Sequence, residues 1–187
     1  RGVLDEDQYN NLICEAKTLR ALYYWHITSF FGDTPFYMDE VSNNEVQDRV
    51  AALGRMDAVA TRDSLIADLL PAAAAADQIR TYENDGYRMG ASCAWMLIAK
   101  LAMWNKEWKV ALDALGHIEA IYGNLSDYDY RYNVMFRNKN TPESIFEVQH
   151  EYVEGGLVYI GQVAAICTLP KSELDDGTVL YGDVQIP

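Results

Sequence analysis

The chain has 187 residues, half of them apolar, and a formal net charge of −13 at pH 7. A chain of this size can bury a core, and one domain over residues 1–187 is the simplest expectation. The charge argues against nucleic acid and against anionic lipid headgroups as partners, because both bind clusters of Lys and Arg.

The first predicted element is a long amphipathic helix that ends near Phe31. Asp5 or Asp7 is the expected N-cap, since such a carboxylate accepts hydrogen bonds from the first free amides. Gly32 suits a C-cap, and Pro35 cannot continue a helix. Apolar residues at steps of three and four share one face, which we predict to be buried: Leu12, Ala16, Leu19, Tyr23, Ile27 and Phe30. The helix is therefore predicted to be the central element, packed on two sides.

This helix also carries a family resemblance. A Glu-Ala-x-x-Leu-Arg-Ala-x-Tyr-Tyr pattern that leads to Phe-Gly-Asp-x-Pro resembles the signature of the SusD-like (RagB/SusD) glycan-binding lipoproteins. The residues that match are Glu15, Ala16, Leu19, Arg20, Ala21, Tyr23, Tyr24, Phe31, Gly32, Asp33 and Pro35. A second match, Glu-Ser-Ile-Phe-Glu-Val-Gln within Thr141–Gln149, resembles a short strand of the same family and is rich in residues that favour β structure.

Between the two motifs the sequence predicts a loop and a second helix. The polar segment from Phe36 to Gly54 has no clear periodicity and is expected to be a loop. Asp57 is the expected N-cap of the second helix, which either continues through Pro71 with a kink or restarts there. We predict two faces for this helix, with Val59, Leu65, Ile66, Leu69 and Leu70 inward and with Arg62, Asp63 and Asp68 outward.

Two further helices are predicted over Met89–Trp104 and Trp108–Ile121, with Asn105-Lys106 between them. In the second of them, the expected inward residues are Ala111, Leu112, Leu115 and Ile118. This hairpin resembles a tetratricopeptide unit, which cannot bury its apolar face alone. We therefore expect it to pack on the Glu15–Phe31 helix.

The predicted fold is mainly all-α, with tetratricopeptide-like hairpins that form an α-solenoid-like bundle. The helical core is expected over about 5–123, and irregular loops with one or two short strands over about 124–187. The SusD-like resemblance implies the same architecture. It also implies a chain more than twice as long, so we interpret this sequence as an internal fragment.

The resemblance implies a function as well. SusD-like proteins capture oligosaccharides, do not hydrolyse them, and hand them to a TonB-dependent, SusC-like transporter in the outer membrane. They are held at the cell surface by a lipidated Cys that follows a signal peptide. Neither a signal peptide nor a membrane-spanning run is visible in this sequence.

The residues themselves show no catalytic or cofactor motif. Cys14, Cys93 and Cys167 form no metal or redox pair, and His26, His117 and His150 are isolated. The many carboxylates select no glycosidase pair, and Asp33 is expected to fix its turn. Two alternatives stay open: a tetratricopeptide-type scaffold for protein interactions and an α-helical glycoside hydrolase.

Tyrosines in loops are the predicted sugar contacts, because the helices are expected to bury their aromatic rings. Tyr152 and Tyr159 flank Glu154-Gly155-Gly156, where glycine lets a ligand approach the backbone. Tyr37 and Tyr181 are weaker candidates in two other loops. A tyrosine offers a sugar an apolar ring and a hydroxyl that can form hydrogen bonds.

Overall fold

The computed structural model describes residues 3–77, 88–124, 126, 141–142 and 144–147, and the backbone of 172–173 and 179–180. The chain divides into two units, Arg1–Glu147 and Val148–Pro187. The described part of the first unit holds five helices: α1 Glu6–Phe31, α2 Asn44–Ala51, α3 Ala58–Ala75, α4 Ala91–Trp104 and α5 Trp108–Tyr122. The described part of the second unit holds two strands, β1 Ser172–Glu173 and β2 Val179–Leu180, which pair antiparallel.

The mainly helical fold class is confirmed, and the two short strands lie toward the C-terminus as expected. The predicted strand at Thr141–Gln149 is wrong for its described residues, which are irregular. The Cys93 thiol donates a weak hydrogen bond to the Ile145 carbonyl, with 3.7 Å between the two atoms. This segment therefore lies against helix α4, and no described strand lies beside it to complete a β ladder.

Local capping chemistry sets the predicted helix ends. The Gln8 amide donates to Asp5 Oδ1 at 2.8 Å, and the Asp5 amide donates to Gln8 Oε1 at 3.3 Å, which forms a capping box. Asp57 Oδ1 accepts from the amides of Val59 and Ala60, at 2.9 and 3.0 Å, and so caps α3. Helix α3 continues through Pro71 to Ala75 without a restart.

The connection between α1 and α3 is more ordered than the sequence predicted. Gly32 has a φ of 70°, which favours glycine, and Thr34 then pairs with Met56 through two backbone hydrogen bonds of 3.1 and 2.9 Å. Asp33 Oδ1 accepts from the Ala58 amide at 3.0 Å, so this carboxylate fixes the start of α3. The prediction of a continuous loop missed α2, which Asn43 caps and which buries no residue. Helix α2 has only eight residues, which is shorter than the window of about 11–18 residues over which helical periodicity is recognised.

Helix α4, and not α1, is the central element. It contacts α1, α3 and α5, whereas the described residues of α1 contact only α3 and α4 among the helices. Ten of the fourteen α4 residues are buried, as expected for a helix that is apolar around most of its circumference. The predicted hairpin therefore packs on α1 through α4 alone. In the described part of the chain α5 does not reach α1.

The predicted buried face of α1 is wrong. The residues that pack inward are Cys14, Thr18, Ala21, Tyr24 and Thr28, and most of them are small. Small side chains let α3 and α4 approach closely, which leaves bulkier neighbours such as Leu19 and Tyr23 on the exposed side. Helix α5 follows the same rule, because it buries Ala111 and Ala114 while Leu112 is 70% exposed.

The two faces predicted for α3 are only partly right. Leu65, Ile66 and Leu69 are buried as predicted, but Val59 is exposed and Arg62 is only 6% exposed. The Arg62 Nε donates to Asn105 Oδ1 at 2.6 Å, and its guanidinium lies 5.6 Å from the centre of the Trp104 ring. An arginine can be buried when its charge is matched by hydrogen bonds and an aromatic face, and sequence periodicity alone does not show this.

Candidate functional site

A cleft of about 580 Å³ opens beside the C-terminal half of α1, where the segment after the helix folds back on it. We call it the tyrosine cleft. It is lined by four residues of α1 and five of the following segment: Arg20, Tyr23, Tyr24, Ile27, Pro35, Tyr37, Met38, Asp39 and Glu40. Its volume is within the range of about 300–1,000 Å³ that small-molecule sites occupy.

Two tyrosine rings in this cleft remain accessible. Tyr23 extends from α1 and is 66% exposed, and Tyr37 extends from the following segment and is 37% exposed. Each ring therefore offers an apolar surface that a ligand can cover without unfolding any element. The cleft combines a ring fixed on a helix with a ring carried by a loop.

The hydroxyl of Tyr24 anchors the loop that carries Tyr37. The Tyr37 amide donates to this oxygen at 3.2 Å, and the hydroxyl lies 3.4 Å from the Tyr37 carbonyl and 3.5 Å from the Pro35 carbonyl. The Tyr24 ring meets Phe36 edge to face, with 5.0 Å between centroids. Burial raises the pKa of the Tyr24 hydroxyl, so it keeps its proton. The anchor is therefore a neutral hydroxyl that can both donate and accept.

Arg20 ties the same loop to α3. Its Nη1 donates to the Met38 carbonyl at 3.3 Å, and its Nη2 pairs with Asp68 Oδ2 at 2.5 Å. Lys17 pairs with the other oxygen of Asp68 at 2.8 Å. Asp68 was predicted to point outward, but its side chain is mostly covered and binds two cations of α1. One carboxylate on α3 thus holds the wall of the cleft in place.

Two carboxylates complete the cleft at its outer edge. Asp39 Oδ2 pairs with Arg49 Nη2 of α2 at 2.8 Å, and both side chains are mostly exposed. Glu40, the next residue, is exposed and has no hydrogen-bond or ion-pair partner within the described ranges. The cleft therefore presents hydrogen-bond acceptors beside two aromatic rings.

A second hollow, of about 360 Å³, lies on the other side of α1 between this helix, α4 and the 144–146 segment. We call it the apolar groove. Its lining is mostly apolar: Thr18, Leu22, Trp25, Met89, Cys93, Met96, Leu97, Lys100, Ser144, Ile145 and Phe146. The buried Trp25 Nε1 has no hydrogen-bond partner among the described residues, and Lys100 Nζ lies 5.1 Å from the centre of the Trp25 ring.

One of the four predicted sugar contacts, Tyr37, lines the tyrosine cleft. Tyr152, Tyr159 and Tyr181 lie outside the described residues, and the roles of all four tyrosines stay predictions. Tyr23 was predicted to be buried, but it is exposed and lines the same cleft. The small residues Cys14, Thr18 and Ala21 were the available signal, since they mark the face that packs closely and so place Tyr23 outside it.

The described ranges contain few residues that could form a metal site or another kind of site. No group of three or more His, Cys, Asp or Glu residues there could hold a metal ion. His117 stacks on Trp95, with 3.8 Å between ring centroids, and His26 contacts Trp25 and Phe30. These two histidines pack against aromatic rings. Among the described helices, none is both long enough and apolar enough to cross a membrane.

The packed helices and the tyrosine cleft place the protein in the class of helical, tetratricopeptide-like proteins, with a cleft large enough for a small ligand. No family model matches the chain. The SusD-like protein P25 of Formosa agariphila is 28% identical over 129 residues, which cover 66% of this chain and 24% of that protein. This similarity confirms the resemblance seen in the two motifs.

Solved structures show the same fold. A SusD superfamily protein from Bacteroides vulgatus superposes with a TM-score of 0.62 at 19% identity, over 81% of this chain and 31% of that one. A laminarin-binding SusD-like protein superposes with a TM-score of 0.61 at 24% identity, over 79% of this chain and 32% of that one. The chain therefore spans between a quarter and a third of the length of the relatives it matches.

Proposed function

We propose that this protein is a non-catalytic, cell-surface glycan-binding protein that captures oligosaccharides and passes them to a TonB-dependent, SusC-like transporter in the outer membrane. The observation that carries the proposal is the tyrosine cleft, where exposed rings and hydrogen-bonding groups occur together. The similarity of the chain to SusD-like proteins in sequence and fold also supports the proposal, because one structurally similar protein is described as a laminarin-binding SusD-like protein. A lipid anchor outside this sequence would hold the protein at the surface.

The chemistry of the cleft suits a sugar. The C–H faces of a pyranose ring pack against an aromatic ring, and Tyr23 and Tyr37 offer such surfaces. Sugar hydroxyls need acceptors and donors nearby, which the carboxylates of Asp39 and Glu40 and the Tyr23 hydroxyl supply. The anchored loop lowers the cost of binding, because Tyr37 is held before the ligand arrives.

The test is titration calorimetry of the full-length protein against a panel of oligosaccharides. We expect micromolar to millimolar affinity for at least one glycan, and a loss of about 0.5–1.5 kcal/mol for Tyr23→Ala or Tyr37→Ala. Tyr9→Ala is the matched control, because Tyr9 is also exposed on α1 but does not line the cleft. Equal affinity in wild type and in both cleft variants, with intact folds, would exclude the cleft as the site.

The remaining predicted contacts can be tested in the same titrations. We propose that Tyr152 and Tyr159, and more weakly Tyr181, add to the sugar site of the whole protein. Tyr152→Ala and Tyr159→Ala should each weaken binding in a folded protein. Wild-type affinity in both variants would restrict the site to other residues.

Delivery to a transporter and the absence of catalysis need separate experiments. A tagged full-length protein should co-purify with a TonB-dependent transporter from outer membranes, and intact cells should be labelled by an antibody against it. The purified protein should release no reducing sugar from a glycan that it binds. Release above a heat-inactivated control would favour the α-helical glycoside hydrolase instead.

A further inference from the structure

We propose that the tyrosine cleft selects neutral glycans and disfavours glycans that carry carboxylate or sulfate groups. This inference rests on the proposed function and adds the class of glycan. It follows from the charges on the cleft wall, where the lining residues include one cation, Arg20, and two carboxylates, Asp39 and Glu40.

Arg20, the single cation among the described lining residues, is already paired. Both terminal nitrogens of Arg20 have partners, Asp68 Oδ2 at 2.5 Å and the Met38 carbonyl at 3.3 Å. Its Nε is buried and makes no hydrogen bond in the structure. The positive charge of this guanidinium is paired with Asp68, so a sugar anion has to compete with that carboxylate for it. Lys17 is also paired with Asp68 and does not line the cleft.

The two carboxylates leave an unbalanced negative charge at the outer edge. Asp39 is neutralised by Arg49, at 2.8 Å, but Glu40 has no such partner in the described part of the chain. An unpaired carboxylate accepts hydrogen bonds from sugar hydroxyls and repels a second anion placed beside it. The net charge of −13 adds to this repulsion as a charged ligand approaches.

The experiment compares matched glycans that differ only in charge. The full-length protein is titrated with a panel of neutral oligosaccharides, and with each of them after oxidation of its primary hydroxyls to carboxylates. We expect the oxidised form of any bound glycan to bind at least about tenfold more weakly at low salt, and the gap to narrow as salt is raised.

Charge variants at the edge sharpen the comparison. Glu40→Lys should strengthen binding of the oxidised form by about tenfold at low salt and change binding of the neutral form much less. The control is Glu119→Lys, which makes the same charge change at an exposed position on α5, away from the cleft.

The outcomes separate this inference from the function on which it rests. Binding of the oxidised form as tightly as the neutral form overturns the neutral preference and leaves glycan binding standing. Equal effects of Glu40→Lys and Glu119→Lys also overturn it, because the preference would then come from overall charge and not from the cleft. Binding of no glycan in the panel removes the proposed function and this inference together.

Discussion

Helix α1 lines two hollows that differ in chemistry. The tyrosine cleft uses Arg20, Tyr23, Tyr24 and Ile27 of this helix, whereas the apolar groove uses Thr18, Leu22 and Trp25. The cleft combines exposed rings with carboxylates, and the groove is lined by methionine, cysteine and aliphatic side chains from α1, α4 and the 144–146 segment.

The difference shows how one helix can serve binding and packing at once. Side chains of the groove, such as Leu97, are largely buried and contribute to stability by excluding water. At the cleft, an ion pair holds Arg20 and the Tyr24 hydroxyl holds the backbone of Tyr37, while the rings of Tyr23 and Tyr37 stay exposed. Substitutions in the groove should therefore change stability, and substitutions in the cleft should change ligand binding.

The largest loss of stability is expected for a substitution in the apolar groove. Leu97 is 4% exposed, so Leu97→Ala should lower the free energy of unfolding by about 2–5 kcal/mol and leave glycan affinity unchanged while the protein is folded. Leu112→Ala on the exposed side of α5 is the matched control and should cost no more than about 0.5 kcal/mol. Urea denaturation measures both, and similar losses would contradict the burial that defines the groove wall.

The second-largest loss of stability is expected when Asp68 is substituted, because this residue of α3 binds the α1 residues beside the cleft. Asp68→Asn keeps the shape but removes the charge that Lys17 and Arg20 share, which should cost about 1–2 kcal/mol of stability. It should also strengthen binding of oxidised glycans, since Arg20 loses its ion-pair partner. Asp113→Asn on the exposed face of α5 should change neither quantity. Identical behaviour of the two variants would argue against Asp68 as the anchor.

Tyr24→Phe tests the hydroxyl that holds the loop. The variant leaves the Tyr37 amide without its acceptor and should lower stability by about 1 kcal/mol. Glycan affinity should fall a few-fold, because Tyr37 must then be ordered on binding. In Tyr23→Phe no hydrogen bond to a described residue is lost, so the free energy of unfolding should stay at the wild-type value. A Tyr24→Phe protein with unchanged affinity would show that the loop does not need this anchor.

The smallest effect is a loss of stability at alkaline pH. Burial raises the pKa of both the Cys14 thiol and the Tyr24 hydroxyl, so the folded protein keeps these protons to higher pH than the unfolded chain. Their contribution to the free energy of unfolding is complete below the pKa values of the unfolded chain, near about 8.5 for Cys and 10 for Tyr. It is lost as pH rises through the pKa values of the folded protein. Urea midpoints should fall above about pH 8.5. They should fall less steeply near pH 10 in Tyr24→Phe, and parallel curves would contradict the role of Tyr24.

Local signals predicted much of the fold. The N-caps at Asp5 and Asp57, which were predicted, depend on residues a few positions apart in the chain. Helix α2 shows the limit of such signals, because its eight residues are too few for a helical pattern to be recognised in the sequence. Each of the two motifs that carry the family resemblance also lies within one short stretch of the chain.

The sequence alone determined where most helices begin and end, and that the chain resembles SusD-like proteins. Only the tertiary structure decided which faces of α1 and α5 are buried, that α4 is the central helix, and that Arg62 points inward. The physical reason is that a cap forms within one turn, whereas burial depends on which neighbouring helix can approach. Small residues on α1 allowed that approach and left Tyr23 beside Tyr37, a pairing that joins a helix to a loop 14 positions later in the chain.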